Sequence, residues 1–172
     1  QALLDLYTIQ RELGQIDGKK VALVGDLAYG RTVHSLARLL ALYQDVELYL
    51  VAPEVIKMKP DVLQDLDAKG VVYHETADLQ AVAPLVDVIY QTRLQKERFP
   101  STDMFQKMAG YYRITPELME QLHDGAIVMH PLPRAGEIDP EVDRDPRAAY
   151  FRQAHNGVAI RMALLALCLE AM

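Results

Sequence analysis

A chain of 172 residues, 51% hydrophobic and 24% charged, has the size and apolar content of one globular domain rather than of a disordered segment. Its formal net charge of -6 argues against a nucleic-acid surface, which needs clustered Lys and Arg in a net-basic domain. The single cysteine, Cys168, allows no intrachain disulfide, and the longest uncharged apolar run, MALLALCL at 162–169, falls far short of the roughly 20 residues that cross a bilayer. A reducing cytoplasm and no membrane contact are the expectation. The chain opens at Gln1 directly in helical periodicity, which predicts a fragment or processed product.

Residues 2 to 13 carry apolar positions at helical spacing (Leu3, Leu6, Tyr7, Leu13) and stop at Gly14. Lys20 to Val24 reads as a buried strand, Arg31 to Tyr43 as a helix through Val33, Leu36, Ala37 and Leu40, and Val46 to Ala52 as the next strand, which makes a βαβ unit. Pro60 to Lys69 has proline in its first turn and Gly70 beyond its end, so it predicts a helix, followed by a short strand at Val71 to Tyr73. Asp78 starts another short helix and Val86 to Tyr90 is a buried strand. Phe99 to Tyr112, with Pro100, Gly110 and no clear period, predicts a mobile loop. Thr115 caps a helix with Pro116 at its first position, Ala126 to Met129 is the last strand, and a final helix spans about Arg147 to Leu169. Alternation of this kind specifies an α/β fold: a doubly wound parallel sheet in a Rossmann-like three-layer domain, with flanking N- and C-terminal helices.

Three strand ends carry the chemistry: GDLAYGRT (25–32), QTRLQKER (91–98) and HPLPR (130–134). Ligands of open parallel sheets bind outside the carboxyl ends of the strands, beside helix N-termini that attract anions. Arg31 and Arg93 can each grip a carboxylate or phosphate through two charge-assisted bonds, so together they suit a dicarboxylate, with Thr32 and Gln95 adding neutral polar contacts. Pairing of these arginines with Asp26, Asp87 or Glu97 is the structural alternative. The spacing from Gly25 to Thr32 imitates a nucleotide-binding P-loop, but arginine replaces its lysine and bulky Leu27 and Tyr29 fill the loop. In HPLPR two prolines flank Leu132, which favours a cis peptide at Leu132-Pro133 and presents the Pro131 and Leu132 carbonyls as acceptors for an amine or amide. His130 reads either as a base or, more simply, as a hydrogen-bonded anchor, and His34 as an anchor. His74, His123 and His155 lack metal-ligand spacing.

In these motifs the chain resembles the catalytic subunit of the aspartate carbamoyltransferase family, over its aspartate-binding half. GDLAYGRTVHSL, YQTRLQKER, HPLPR with Glu137 and Ile138, and DPRAAYFRQAHNG occur in the family's order across essentially the whole chain. Leu132 favours aspartate over ornithine, whose carbamoyltransferases typically carry cysteine in the equivalent of HPLPR. The resemblance implies transfer of a carbamoyl group from carbamoyl phosphate to L-aspartate in pyrimidine synthesis, without a cofactor or metal, in a homotrimer that regulatory chains or fused pyrimidine-pathway enzymes can join. It implies that Arg31, Thr32, Arg93 and Gln95 hold aspartate. Gln1, matching the end of an HPTQ motif, would contact carbamoyl phosphate, and the Pro131 and Leu132 carbonyls would meet the reacting groups. Lys96, Glu97 and Arg98 would latch two domains on closure, with 99–112 as the moving loop. It further implies that 1–14 is an interdomain helix, that 15–172 is the aspartate-binding domain, and that the carbamoyl-phosphate domain is absent, since neither Ser35 nor Ser101 begins that domain's Ser-x-Arg-Thr motif. A non-catalytic binding or interaction module is the alternative.

Overall fold

The computed structural model describes residues 1–94 and 96–169. Five parallel strands, β1 (Lys20–Val24), β2 (Glu47–Val51), β3 (Val72–Thr76), β4 (Val88–Gln91) and β5 (Ile127–Met129), form one sheet in the order β3-β2-β1-β4-β5. The chain moves outward from β1 through β2 to β3, then returns to the other side of β1 for β4. That reversal opens a crevice at the carboxyl ends of β1 and β4.

Apart from the edge strand β3, the strands are largely apolar on both faces because helices cover both. Val21, Leu23, Leu48, Leu50, Val88 and Tyr90 belong to one core cluster, whereas the alternating residues Ala22, Val24, Tyr49, Val51 and Ile89 belong to the other. This period of two across a doubly covered sheet is what continuous Val/Leu/Ile runs specify. α1 (Ala2–Leu13), α2 (Arg31–Leu40) and α3 (Pro60–Ala68) supply buried residues to the first cluster, and α4 (Leu79–Val82) and α6 (Pro116–Met119) to the second. α1 also packs along α7 (Tyr150–Cys168). Burial of each large side chain in these clusters is worth about 1.5–3 kcal/mol, which accounts for a chain that builds its own core.

Four expectations shift. The predicted loop at 99–112 contains α5 (Thr102–Tyr111), started by the Ser101 hydroxyl accepting from the Met104 amide at 3.1 Å; Met104, Phe105, Met108 and Ala109 pack against the second cluster despite the intervening polar residues. The helix expected to reach Tyr43 ends at Leu40, because the Leu42 and Tyr43 amides bond three residues back in a tighter turn. β3 runs to Thr76 rather than Tyr73; as an edge strand paired only with β2, it carries exposed polar residues that hide its length. α7 begins at Tyr150 rather than near Arg147, since Ala148 is drawn beside β5 in a bridge to Val128. No helix among the described residues is long and apolar enough to cross a membrane.

Candidate active site

The three polar strand ends converge. A cavity of about 320 Å³ is lined by Tyr29, Gly30, Arg31 and Thr32 after β1, Thr92 and Arg93 after β4, and His130 to Pro133 after β5. It lies at the crevice where the strand order reverses. Thr92 locks two of its walls together: its amide and hydroxyl both donate to the Val24 carbonyl at 2.8 Å, and the hydroxyl accepts from the Asp26 amide at 3.2 Å. The fit is close enough to require glycine, because Gly25 has φ +112° and a Cβ there would stand 2.6 Å from the Thr92 carbonyl oxygen.

α2 starts at this cavity with no side-chain cap and no acidic residue in its first turn, so its free amides and positive end remain available to an anion. Arg31 and Arg93 are exposed, and among the described residues neither forms an ion pair. Asp87 instead takes Lys19 at 3.5 Å and the Lys20 amide at 2.8 Å. Among the described residues, the pairing of Arg31 or Arg93 with these carboxylates does not occur. His34 is the expected anchor, with Nε2 2.7 Å from the Leu27 carbonyl.

The HPLPR wall is built differently. His130 is 2% exposed, its Nε2 lies 2.8 Å from Glu137 Oε1, and its Nδ1 accepts from the Leu132 amide at 2.8 Å. It is an anchor, and both ring nitrogens are engaged, so the base reading has no free nitrogen to act with. Burial pushes the Glu137 carboxyl up, but bonds from His130 and the Ala135 amide outweigh it and hold the group below its ordinary range. Leu132-Pro133 is cis, as expected, and Leu132 has φ +48°. Beyond the turn, Arg134 grips both oxygens of Asp143, whose carboxyl is held low by that contact.

Gln1 stands outside this cavity, with its amide donating to Asp5 Oδ1 at 2.9 Å. Lys96 and Glu97, in the short turn Lys96–Arg98, line a neighbouring cavity of about 490 Å³ that shares Arg93 and reaches under α5. Gln95 lies outside the described residues. Among those residues no cluster of His, Cys, Asp or Glu is arranged to hold a metal.

A family model for the aspartate/ornithine carbamoyltransferase Asp/Orn binding domain matches residues 17–168. The chain belongs to this family. It is 57% identical to pea (Pisum sativum) aspartate carbamoyltransferase 1, chloroplastic, over 96% of this chain and 43% of that protein. The catalytic subunit of M. jannaschii aspartate transcarbamoylase superposes with a TM-score of 0.94 at 48% identity, covering 99% of this chain and 55% of that one. The Trypanosoma cruzi aspartate transcarbamoylase complex with carbamoyl phosphate and aspartate gives 0.87 at 44% identity, over 95% and 52%. The chain thus spans about half the length of the relatives it matches.

In this chain, sequence reasoning missed Thr92 as the clasp between β1 and β4, and the network behind the HPLPR turn. The backbone amide of His130 donates to Gln153 Oε1 at 2.8 Å, Gln153 Nε2 donates to Asp5 Oδ1 at 2.7 Å, and Tyr90 donates to Asp5 Oδ2 at 2.9 Å. Burial outweighs these bonds and lifts the Asp5 carboxyl above its usual 3.8. The one available signal was polar residues, Asp5 and Gln153, on the apolar faces of two helices.

Proposed function

We propose that this chain is the aspartate-binding part of an aspartate carbamoyltransferase and works together with a carbamoyl-phosphate-binding part. One observation carries the reading: two arginines that form no ion pair among the described residues, a helix N-terminus and the His130 to Pro133 turn share one cavity, with positive charge for a small dicarboxylate and backbone carbonyls for its amine. Arg31 and Arg93 hold the two carboxylates, Thr32 and Gln95 assist, and the Pro131 and Leu132 carbonyls receive the amine. The amine nitrogen forms a bond to the carbonyl carbon of carbamoyl phosphate, the bond from that carbon to the phosphate oxygen breaks, and phosphate leaves with the amine proton. Catalysis of this kind is positioning and charge stabilisation. The Trypanosoma cruzi relative, whose complex holds carbamoyl phosphate and aspartate, supports the substrate pair. Latching by Lys96, Glu97 and Arg98, contact of Gln1 with carbamoyl phosphate, the 1–14 and 15–172 division, a homotrimer and a cytoplasmic location belong to the same reading and rest on family resemblance.

The test is formation of carbamoyl aspartate from labelled carbamoyl phosphate and L-aspartate, with intact mass recorded on the same sample. The pure 172-residue chain is expected to bind aspartate and turn nothing over, and to gain activity when a carbamoyl-phosphate-binding half is added. Robust turnover by the pure chain, or no aspartate binding in either state, contradicts the reading.

A further inference from the structure

We propose that His130 is a positioning residue whose ring fixes the direction of the Pro131 carbonyl, and through it the placement of the attacking amine. The inference rests on the proposed substrate. The amide of Leu132 and the carbonyl of Pro131 belong to one peptide plane, and in a trans peptide they point in opposite directions. The single cis bond in the described backbone is the following one, Leu132-Pro133. Holding the Leu132 N–H at 2.8 Å on His130 Nδ1 therefore aims the Pro131 oxygen away from the ring. Pro131 lines the cavity together with Arg31 and Arg93.

The ring can do this because it is itself held. A nitrogen that accepts from the Leu132 amide carries no proton, so the ring hydrogen sits on Nε2 and donates to Glu137 Oε1. Glu137 is fixed in turn by the Ala135 amide at 2.8 Å, and the His130 backbone by Gln153 from α7. The clamp is needed. Leu132 sits at φ +48°, a left-handed backbone conformation that disfavours a residue with a side chain, and the hydrogen bond to its amide offsets that strain. Without the Nδ1 acceptor the Pro131–Leu132 plane is free to turn.

Two substitutions separate this role from simple core packing. His130→Asn keeps an acceptor near the Nδ1 position and drops the Glu137 contact; His130→Gln reaches Glu137 and leaves the Leu132 amide without its acceptor. Each is compared with wild type in three measurements: succinate affinity of the chain, succinate being aspartate without its amine; the Leu132 amide NMR resonance; and kcat in the enzyme assembled with the carbamoyl-phosphate-binding half. The expected result is succinate binding within about twofold in both variants, with kcat down about 2- to 12-fold in His130→Gln, as loss of one hydrogen bond predicts, and by a smaller factor in His130→Asn, which keeps the acceptor but loses the Glu137 contact. The Leu132 resonance is expected to move in His130→Gln and to stay near its wild-type position in His130→Asn. Equal kcat in the two variants, or parallel loss of succinate binding and kcat, overturns the positioning role. Should wild type neither bind succinate nor turn over, the substrate reading falls, and the Leu132 resonance still decides on the clamp: no movement in His130→Gln refutes it.

Discussion

Two walls of one cavity are made by opposite means. On the β5 side, the 130–137 turn is held by internal hydrogen bonds through Glu137, Gln153 and the chain of donors to Asp5. On the β1 and β4 sides, Arg31 and Arg93 stand exposed at strand ends with no ion pair among the described residues. The difference separates stability from binding. The bonded wall contributes to folding and supplies fixed direction, whereas the arginines contribute little to folding and keep their bonding capacity for an anion.

The separation can be broken most severely at Asp5. Asp5→Ala strands the buried Tyr90 hydroxyl and Gln153 amide, and a cost of roughly 2–6 kcal/mol is expected at about 1–3 kcal/mol for each unsatisfied buried group; urea unfolding measures it. A loss under about 0.5 kcal/mol, the size of an ordinary surface change, would show that the network does not carry the turn.

Arg93→Ala should do the reverse. Aspartate affinity is expected to fall about 10- to 150-fold, equivalent to roughly 1.5–3 kcal/mol for charge-assisted bonds, while the urea midpoint stays put. In the assembled enzyme, carbamoyl phosphate affinity should change far less. Equal loss for both substrates contradicts the assignment.

Acid titration sharpens the comparison further. Glu137 and Asp143 have folded-state pKa values below their ordinary 4.5 and 3.8, so as pH falls through that range the unfolded chain binds protons first. Their contribution is fully present above about pH 4.5 and is lost as pH falls further through the folded-state values. Asp5, raised by burial, runs the other way. Melting followed from pH 6 to 3 should therefore drop less steeply in Glu137→Gln than in wild type, and identical slopes would remove Glu137 from the account.

The smallest effect is expected on α7. Its first half is tied down by Gln153 and Asn156, while Leu165 is 63% exposed. Leu165→Ser should shift the stability of this chain by no more than about 0.5 kcal/mol.

What the sequence made legible follows the same division. β1 is read residue for residue, because Lys20 to Val24 is a short apolar run that only a buried central strand explains. That Arg31, Thr32, Arg93, Pro131 and Leu132 line one cavity is legible because topology alone sends three strand ends to one edge. α5 is not: its start depends on the Ser101 cap and its stripe of Met104, Phe105 and Met108 is interrupted by polar residues and closed by Gly110. Nor is the support of His130 visible, since Glu137 lies seven residues on across two prolines and Gln153 meets Asp5 from 148 positions away. Period and turn chemistry act locally, and such bonds are created by the fold.

The measurement that bears most directly on the central claim is an NMR titration of the chain and of its Arg93→Ala variant with L-aspartate and succinate. Saturable shifts around Arg31, Arg93 and Leu132 in wild type, with affinity lost on substitution of Arg93, are the predicted result. Unchanged affinity in the variant, or shifts confined to another surface, would contradict a dicarboxylate site at the ends of β1, β4 and β5.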